Sequence, residues 1–394
     1  MRRRLSVFGA TGSVGQNTAA VLAAQGGAEA YEVIALTGAG NVGLLAQQAR
    51  VLGARLAVTA DPERLEELAA LLEGSGTEAA AGRDALVAAA DEPVDWAMSA
   101  IVGAAGLEPS LRLARHGGVL ALANKESLVC AGDLLRRTCD AHGTRLIPVD
   151  SEHSAIFQAM TGERPAEVER LILTASGGPF RDWSKARMAN ATPAEAKAHP
   201  NWAMGERISI DSATMFNKAL EIIEARALFD VNPEQIEVLV HPQSIVHSLV
   251  GFRDGSVIAQ LGPTDMRLAI GYALNWPERR ALALERLDLA TIGRLDFAPP
   301  DPDRFPALRL ARQVLAYGGL AGAVFNGAKE TALDGFLARR IGFLDMAVLV
   351  EHVLEKLGPA AGGFGPGYDL DAVTALDKEA RRLGRVWVAA YTGR

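Results

Sequence analysis

Residues 4–25, RLSVFGATGSVGQNTAAVLAAQ, decide the fold of this chain. An apolar strand over 4–8 is followed by a glycine turn over 9–15, and a helical pattern begins at once. This order is typical of a dinucleotide-binding fold, where glycines let the backbone approach a pyrophosphate and the helix N-terminus favours its negative charge. The spacing is GxxGxxG, looser than GxGxxG, so a plain tight turn explains this stretch equally well when it is taken alone.

Predicted strands and helices alternate from this turn to about residue 149. After the first helix come strands 31–38, 55–60, 95–101, 118–123 and 145–150, and helices 42–52, 62–73, 83–90, 106–115 and 126–141. Such alternation predicts a parallel sheet covered by helices on both faces. We therefore expect an α/β protein in which residues 1–149 form a Rossmann-like, nucleotide-binding domain.

The end of the second strand bears on the choice of cofactor. Folds of this kind contact the adenosine ribose there, and here the strand runs into Ala39, Gly40 and Asn41. The sequence offers no acidic residue at this point, although an acidic side chain is the usual partner of the ribose 2'-hydroxyl of NAD. The pattern therefore favours NADP.

Asn124, Lys125 and Glu126 follow the strand over 118–123. Because ligands of open α/β sheets collect at the carboxyl ends of strands, Lys125 is predicted to face a substrate or the nicotinamide. The alternative is an ordinary helix start, with Glu126 in the first turn and Lys125 in solvent.

Asp150, Ser151 and Glu152 follow the strand over 145–150. In extended backbone, residues two apart point to the same side, so the two carboxylates are predicted to face one direction. Oxygen ligands of this kind suit Mg²⁺ or Mn²⁺ better than zinc. His153 is expected to point away as a supporting residue, and an acidic helix start is the alternative for the pair.

Residues 201–225, NWAMGERISIDSATMFNKALEIIEA, concentrate polar groups in apolar surroundings. A helix is predicted from about Ala213, with Asp211 or Ser212 as its N-cap. Asn217, Lys218 and Glu221 would then lie within one turn, where a helix N-terminus favours an anion such as phosphate. The alternative is a solvated helix face.

A second turn, Ser176-Gly177-Gly178, follows a predicted strand over 170–176 and suits an oxyanion. The polar stretch 181–206 comes next and carries Trp202 and Met204. Loops of this length are usually lids or binding loops, although a single Trp is also explained by anchoring in a core.

The remaining chain completes the predicted organisation. We expect a central α/β catalytic domain over 150–275 with a lid loop over 181–206, a Pro-rich linker over 276–305, and a C-terminal helical domain over 306–394. Residues 236–262 are predicted to form strands joined at Asp254-Gly255. The helical domain shows no chemistry of its own in the sequence.

Composition excludes several classes of function. A net charge of -7 argues against nucleic-acid binding, and no apolar run reaches the roughly 18 residues of a membrane span. The basic start lacks the apolar segment of a signal peptide, so we expect a cytoplasmic protein. Cys130 and Cys139 fall about 13.5 Å apart on one predicted helix, too far for a disulfide, and are expected to be free thiols.

In order along residues 9–250, the chain contains the glycine turn and the motifs NKES, DSEH, SGGPF, HPNWAMG, SIDSATMFNKALEIIEA and HPQSIVHS. Together these motifs resemble the 1-deoxy-D-xylulose 5-phosphate reductoisomerase family. The resemblance implies conversion of 1-deoxy-D-xylulose 5-phosphate to 2-C-methyl-D-erythritol 4-phosphate in the non-mevalonate isoprenoid pathway. It also implies NADPH, a divalent metal (Mg²⁺ or Mn²⁺), a small phosphorylated sugar substrate and a homodimer.

The resemblance also implies roles for single residues. The catalytic set it implies is Lys125, Asp150, Glu152 and Glu221, of which the three carboxylates are the metal ligands. The implied substrate contacts are Lys125, Ser151, Glu152, Ser176, His199, Trp202, Met204, Ser212, Asn217, Lys218 and Glu221. The implied cofactor contacts are Thr11, Gly12, Ser13, Val14, Ala39, Gly40, Asn41, Asn124, Glu126 and Gly205.

Two positions depart from the family pattern, because Gly40 and Glu206 stand where members often carry a basic residue. Both bear on how the cofactor is held. Two other classes of protein remain as alternatives. A simple NADP-dependent dehydrogenase would not call for the cage of Asp150, Glu152 and Glu221, and a nucleotide-sensing protein would need neither that cage nor Lys125.

Overall fold

A computed structural model describes residues 2–198, 200–202 and 205–391. Its strands are β1 Arg3–Phe8, β2 Tyr31–Gly38, β3 Leu56–Thr59, β4 Glu78–Ala81, β5 Trp96–Ser99, β6 Val119–Leu122, β7 Arg145–Pro148, β8 Val168–Ala175, β9 Ile236–Val240, β10 Val246–Phe252 and β11 Val257–Leu261. Its helices are α1 Ser13–Ala24, α2 Gly27–Ala30, α3 Val42–Leu52, α4 Leu65–Leu72, α5 Gly82–Asp91, α6 Leu107–Leu113, α7 Lys125–His142, α8 Ser151–Ala159, α9 Lys185–Met188, α10 Pro193–Ala196, α11 Glu206–Ala213, α12 Phe216–Phe229, α13 Arg267–Asn275, α14 Leu289–Ile292, α15 Ala307–Tyr317, α16 Ala321–Leu337, α17 Asp345–Gly362 and α18 Leu370–Ala390.

The chain packs as two compact units. The first contains residues up to 127, 135–154 and 265–285, and the second contains 128–134, 155–264 and the chain from 286 onward. The predicted division at 1–149, 150–275, 276–305 and 306–394 concerns the function of each part rather than its packing, and it stays a prediction.

The first unit holds a parallel sheet with the described strands in the order β4-β3-β2-β1-β5-β6-β7. Its strands are short apolar runs because helices cover both faces, and Leu5, Val7 and Phe8 of β1 are completely buried. The strand order reverses between β1 and β5, and ligands of such sheets bind beyond the carboxyl ends at this point. The predicted Rossmann-like fold is confirmed.

Strand β4, EAAA, is the element of this sheet that the sequence pattern did not predict. It has neither β-branched nor aromatic residues, so it carries no strand signal of its own. It forms because β3 offers a free edge, with Leu56 to Thr59 paired to Glu78 to Ala81.

The second unit holds a mixed sheet and a group of helices. The described strands have the order β11-β10-β8-β9, with β8 and β9 parallel and the other pairs antiparallel. The predicted hairpin at Asp254-Gly255 joins β10 to β11, and Gly255 takes the positive φ of 89° that this turn requires. The predicted helical C-terminus is also confirmed, and α16 packs against α17 and α18.

Two smaller features complete the description of the chain. Cys130 and Cys139 are buried thiols that are not joined in a disulfide. Within the described part of the chain, no helix combines the length and the apolarity that crossing a membrane requires.

Candidate active site

The glycine turn lies at the reversal point of the first sheet. Gly9 ends β1 with φ of 87°, and a Cβ there would lie 2.5 Å from the carbonyl oxygen of Ala100 beyond β5. A Cβ at Gly15 would lie 2.1 Å from the carbonyl oxygen of Gly9, so α1 approaches the strand end too closely for any side chain. Gly12 precedes α1 and no described side chain caps that helix. Its first backbone N–H groups are therefore available to an anionic ligand.

The tip of β2 lies at the same sheet edge, because β1 and β2 are parallel neighbours. Asn41 caps α3 by accepting a hydrogen bond from the N–H of Leu44 at 3.1 Å. Thr59 donates a hydrogen bond to the carbonyl of Ala39 at 2.9 Å, which fixes the loop. A Cβ at Gly40 would meet nothing within 4 Å, so the loop has room for a side chain at that position.

Asn124 caps α7 and ties it to the preceding strands. Its Oδ1 accepts from the N–H of Ser127 at 2.9 Å, and its Nδ2 donates to the carbonyl of Ile101 and to Oε2 of Glu126, both at 2.7 Å. Asn124 and Glu126 are buried. The expected helix cap is therefore present, but it does not leave the neighbouring lysine in solvent.

Lys125 lies at the start of α7 with 12% of its side chain exposed. Its Nζ donates a hydrogen bond to Oδ2 of Asp150 at 2.5 Å. Two of the predicted site residues are thus brought together at the ends of the neighbouring strands β6 and β7.

The backbone after Asp150 differs from our expectation. Glu152 is not in extended chain but in the first turn of α8, which begins at Ser151. The helix forms there because Oδ1 of Asp150 accepts from the N–H groups of Glu152 and His153, both at 3.1 Å. The acidic helix start, given as the alternative, is therefore the local structure. It does not remove the carboxylates from the site, since Asp150 contacts Lys125 and Ser151 donates to Glu152.

His153 supports this turn, but it faces Asp150 instead of pointing away, because it lies in the first turn of α8 and not in extended chain. It is completely buried, and its Nδ1 lies 3.2 Å from Oδ1 of Asp150.

In the second unit, the Ser176-Gly177-Gly178 turn packs against the end of α11. Gly177 and Gly178 have φ of 83° and 65°, and Oγ of Ser176 accepts from the N–H of Gly178 at 3.1 Å. A Cβ at Gly178 would lie 2.7 Å from the carbonyl oxygen of Ser212. The close approach of two backbones therefore brings the predicted oxyanion turn to Ser212.

The helix predicted from Ala213 is in fact two helices. Helix α11 ends at Ala213, Met215 takes a φ of 62°, and α12 starts at Phe216. Asp211 and Ser212 do not cap α12, so that prediction was wrong. The physical reason is that Asp211 lies in the last turns of α11, where Lys329 donates to its Oδ2 at 2.9 Å.

The first turns of α12 carry the predicted polar cluster. Nδ2 of Asn217 donates to Oε1 of Glu221 at 2.5 Å, and Nζ of Lys218 donates to Oε2. Lys218 is 3% exposed and Glu221 is 0% exposed, so this is not a solvated helix face. Oδ1 of Asn217 is buried without a hydrogen-bond donor among the described residues, which leaves it available to a ligand.

The first part of the predicted lid is anchored. Helices α9 and α10 bury Met188 and Ala196 completely. Nη1 of Arg304 donates to the carbonyls of Arg181 and Trp183 at 2.7 and 2.9 Å. His199 and Met204 lie outside the described residues, so their predicted substrate contacts stay predictions.

The HPQSIVHS motif supports the lid residues that the structure describes. Nδ2 of Asn201 donates to the carbonyl of Pro242 at 2.6 Å and to Oγ of Ser244 at 2.9 Å. The rings of Trp202 and His247 lie 6.1 Å apart. Asn201 lies 41 and 43 positions from Pro242 and Ser244, so no local pattern signals the contacts.

Glu206, the second departure from the family pattern, forms an ion pair with Lys197. Both side chains are substantially exposed, so the pair contributes little stability.

Sequence reasoning missed a charge cluster between α11 and α16, which is buried at Asp211 and Lys329 and exposed at Asp334. Lys329 donates to Asp211 and, at 2.5 Å, to Oε1 of Glu330, while Arg207 donates to Oε2 of Glu330 at 2.5 Å and to Asp334 at 2.7 Å. Burial raises the pKa of Asp211. Burial also acts to raise the pKa of Glu330, but the charges of Lys329 and Arg207 outweigh it and lower that pKa to about 2. The partners are over a hundred positions apart, so no local pattern signals them.

Family models match most of the chain. Residues 5–132 match the model for 1-deoxy-D-xylulose 5-phosphate reductoisomerase, and residues 146–229 match a C-terminal domain of the same enzyme. Residues 261–383 match the DXP reductoisomerase C-terminal domain.

Curated relatives and solved structures agree with these models. The chain is 60% identical to 1-deoxy-D-xylulose 5-phosphate reductoisomerase of Ruegeria pomeroyi over 96% of each chain. It is 58% identical to the enzyme of Rhizobium rhizogenes over 98% of this chain and 97% of the relative. The structure of the Zymomonas mobilis enzyme in complex with NADPH matches with a TM-score of 0.92 and 46% identity, over 99% of this chain and 100% of that one. A structure of DOX-P reductoisomerase with NADPH, fosmidomycin and magnesium matches with a TM-score of 0.92 and 40% identity, over 98% of both chains.

From the family models and the near full-length relatives, this chain belongs to the 1-deoxy-D-xylulose 5-phosphate reductoisomerase family.

Proposed function

We propose that this chain converts 1-deoxy-D-xylulose 5-phosphate to 2-C-methyl-D-erythritol 4-phosphate, with NADPH as the hydride donor and a divalent metal. The observation that carries the proposal is the 60% identity over nearly the full length of a curated relative with this activity. The contacts of the predicted cofactor, metal and phosphate residues support the same reaction.

NADPH binds at the carboxyl edge of the first sheet. The cradle is formed by the glycine turn and the β2 tip, namely Thr11, Gly12, Ser13, Val14, Ala39, Gly40 and Asn41, together with Asn124, Glu126 and Gly205. The fit rests on the backbone at Gly9 and Gly15, where any side chain would collide with the neighbouring main chain. Because both positions are glycine, the backbone of the turn can lie close to a pyrophosphate. The cofactor supplies a hydride when bound.

Asp150, Glu152 and Glu221 hold the metal. All three are carboxylates, a donor set that could hold a metal ion and that suits Mg²⁺ or Mn²⁺. A metal bound there supplies Lewis-acid stabilisation of the substrate's carbonyl and hydroxyl oxygens. Asn217 and Lys218 hydrogen-bond to Glu221, which fixes its carboxylate in α12.

Lys125 acts beside the reacting carbons. Its ammonium is largely buried and already donates to Asp150, so it places a positive charge next to a carboxylate that must stay ionised. A second N–H of the same ammonium can donate to a substrate oxygen that gains negative charge during the rearrangement. Ser151, in the first turn of α8, donates its one hydroxyl proton to Glu152, so its oxygen can accept a hydrogen bond from a substrate hydroxyl.

The substrate's phosphate is held away from the reacting carbons. Ser176, Ser212, Asn217 and Lys218 form the cradle, with His199 as a further contact. The side chain of Met215, the N-cap residue of α12, makes no capping hydrogen bond, and Oγ1 of Thr214 accepts from the N–H of Phe216 at 3.3 Å. The next N–H groups of the first turn add to the positive potential. Holding a remote phosphate fixes the position of the reacting carbons, and its binding energy is used in the transition state.

Trp202 and Met204 close over the bound substrate and exclude water. The support for Trp202 is its packing near His247, and the contact of Asn201 with Ser244 holds the adjoining backbone. Exclusion of water strengthens the electrostatic interactions inside the site.

The proposed assembly is a homodimer in the cytoplasm. Edge strand β11 exposes Val257 and Ile258, at 45% and 39%, which is the kind of edge that proteins usually cover. Two buried cysteines that form no disulfide suit a reducing compartment, and burial raises the pKa of Cys139 to about 12, so its thiol is inert. Sedimentation equilibrium of the purified chain tests the dimer.

Oxidation of NADPH with and without a divalent metal tests the reaction class. We expect turnover of the deoxyxylulose phosphate that stops with a chelator and returns with Mg²⁺ or Mn²⁺. Turnover that ignores the chelator would indicate a simple dehydrogenase. NADPH binding without any turnover would indicate a nucleotide sensor.

A further inference from the structure

Helix α11 has little apolar contact to hold it in place. Of its eight described residues, Ile210 and Ala213 bury apolar side chains, while Ile208 is 39% exposed. Apolar burial of this size stabilises a helix position only weakly, because the hydrophobic contribution scales with area removed from water. Another interaction must therefore fix α11.

That interaction is the charge cluster with α16. Arg207 and Asp211 are four residues apart and share one face of α11, and Glu330 and Asp334 share one face of α16 in the same way. Lys329, with 2% of its side chain exposed, reaches Asp211 at 2.9 Å. The two faces therefore meet through charged groups instead of an apolar seam.

The same helix positions the phosphate cradle. Ser212 directly follows Asp211, and its carbonyl oxygen is the atom that a Cβ at Gly178 would approach to 2.7 Å. A shift of α11 would move Ser212 and the Ser176-Gly177-Gly178 turn together. Because charged pairs require specific geometry, they set the position of α11 more sharply than an apolar contact would.

We propose that Lys329 of α16 and Arg207 of α11 are positioning residues for the substrate's phosphate. Lys329 holds Asp211 of α11, and Glu330 of α16 holds Arg207, so the two pairs fix the position of α11. The inference rests on the proposed function of Ser176 and Ser212. It assigns to the C-terminal helix α16 a role in substrate affinity that its sequence does not indicate. Neither Lys329 nor Arg207 needs to touch the substrate for this role.

Steady-state kinetics of the full chain with both substrates tests the proposal. We expect Lys329→Met to raise KM for the deoxyxylulose phosphate at least tenfold, since small misplacements of binding groups cost on the order of a hundredfold in rate. KM for NADPH should change less than KM for the deoxyxylulose phosphate, because all the proposed NADPH contacts except Gly205 lie in the other unit. Lys329→Arg should restore most of the substrate KM.

Asp377→Asn is the matched control. Asp377 is buried and accepts hydrogen bonds from Asn326 of α16 at 3.1 Å and from Arg381 at 2.7 Å, on the face of α16 that meets α18. Loss of this pair should lower Tm without changing either KM. If Lys329→Met lowers Tm and leaves both KM values unchanged, as the control does, the cluster is merely structural and the proposal is overturned.

Arg207→Gln keeps the test decisive if Lys329→Met fails to fold. Arg207 is 40% exposed, so its loss is better tolerated, and the same rise in substrate KM is expected. An unchanged substrate KM in folded Arg207→Gln would also overturn the proposal. A wild-type chain that does not turn over the substrate would instead refute the proposed function, and this inference with it.

Discussion

The ammonium of Lys125 lies 2.5 Å from Oδ2 of Asp150, across 25 positions of sequence. The contact follows from the sheet: β6 and β7 are parallel neighbours, with Leu122 opposite Pro148, so the residues after each strand emerge at one edge. A cation at this distance favours the ionised carboxylate, which is the form that ligates a metal.

Glu152→Gln should abolish metal-dependent turnover while folding and NADPH binding are retained, because an amide is a much weaker ligand for a divalent cation. Mg²⁺ titration calorimetry and NADPH fluorescence measure the two properties separately. Glu163→Gln, an exposed glutamate beyond the end of α8, is the control and should behave as wild type. Full activity of Glu152→Gln at limiting metal would contradict the assignment of Glu152 as a metal ligand.

Gly40→Arg should widen the preference for NADPH over NADH in kcat/KM. The position is exposed and a new side chain meets nothing within 4 Å, so a guanidinium can reach the 2'-phosphate and pair with it in two hydrogen bonds. Gly40→Ala controls for the loss of glycine alone. An unchanged ratio in the arginine variant refutes the placement of Gly40, and equal or better use of NADH by the wild type refutes the preference.

Trypsin should cut the free enzyme between Arg181 and Arg207, first after Lys197. Lys197 is 39% exposed, whereas Lys185 lies in helix α9, Arg187 stacks on Trp183 at 3.6 Å and Arg181 is held by the carbonyl of Ser176. Substrate or a phosphonate inhibitor should protect the site, because a lid that closes over the ligand is less accessible to protease. Lys197→Gln should remove this cut. Equal cutting rates with and without ligand would count against a lid.

Glu330→Gln should change how stability depends on pH. The pKa of Glu330 is about 2 in the folded chain against an ordinary value of 4.5. A depressed pKa contributes stability that is complete above about pH 4.5 and is lost as the pH falls toward 2, amounting to about 3 kcal/mol.

Urea unfolding of wild type and Glu330→Gln at a series of pH values measures this difference. It should be largest near pH 6 and shrink in acid. Glu379→Gln, which removes the partner of Arg382 in an exposed pair, is the control and should show little effect. A difference between wild type and Glu330→Gln that stays constant down to the acid limit of folding would contradict the account.

Local patterns predicted much of the fold, since strand, turn and helix around Gly9 to Gly15 follow from short-range composition. They failed where tertiary contacts decide. Strand β4 forms on a neighbour's edge despite its alanines, and Asp211 is engaged by Lys329 rather than capping α12. The prediction that Asp150 and Glu152 lie together assumed extended backbone, whereas the structure has a helix start capped by Asp150. Both conformations place the two residues near a strand end, so the wrong local structure still gave the right neighbours.

The carbon skeleton of the product tests the central claim most directly. Incubation with 1-deoxy-D-xylulose 5-phosphate, NADPH and Mg²⁺, followed by NMR of the product, separates rearrangement with reduction from reduction alone. The account predicts a branched product, 2-C-methyl-D-erythritol 4-phosphate, formed in equal amount to the NADPH oxidised. An unbranched, reduced sugar phosphate would contradict it.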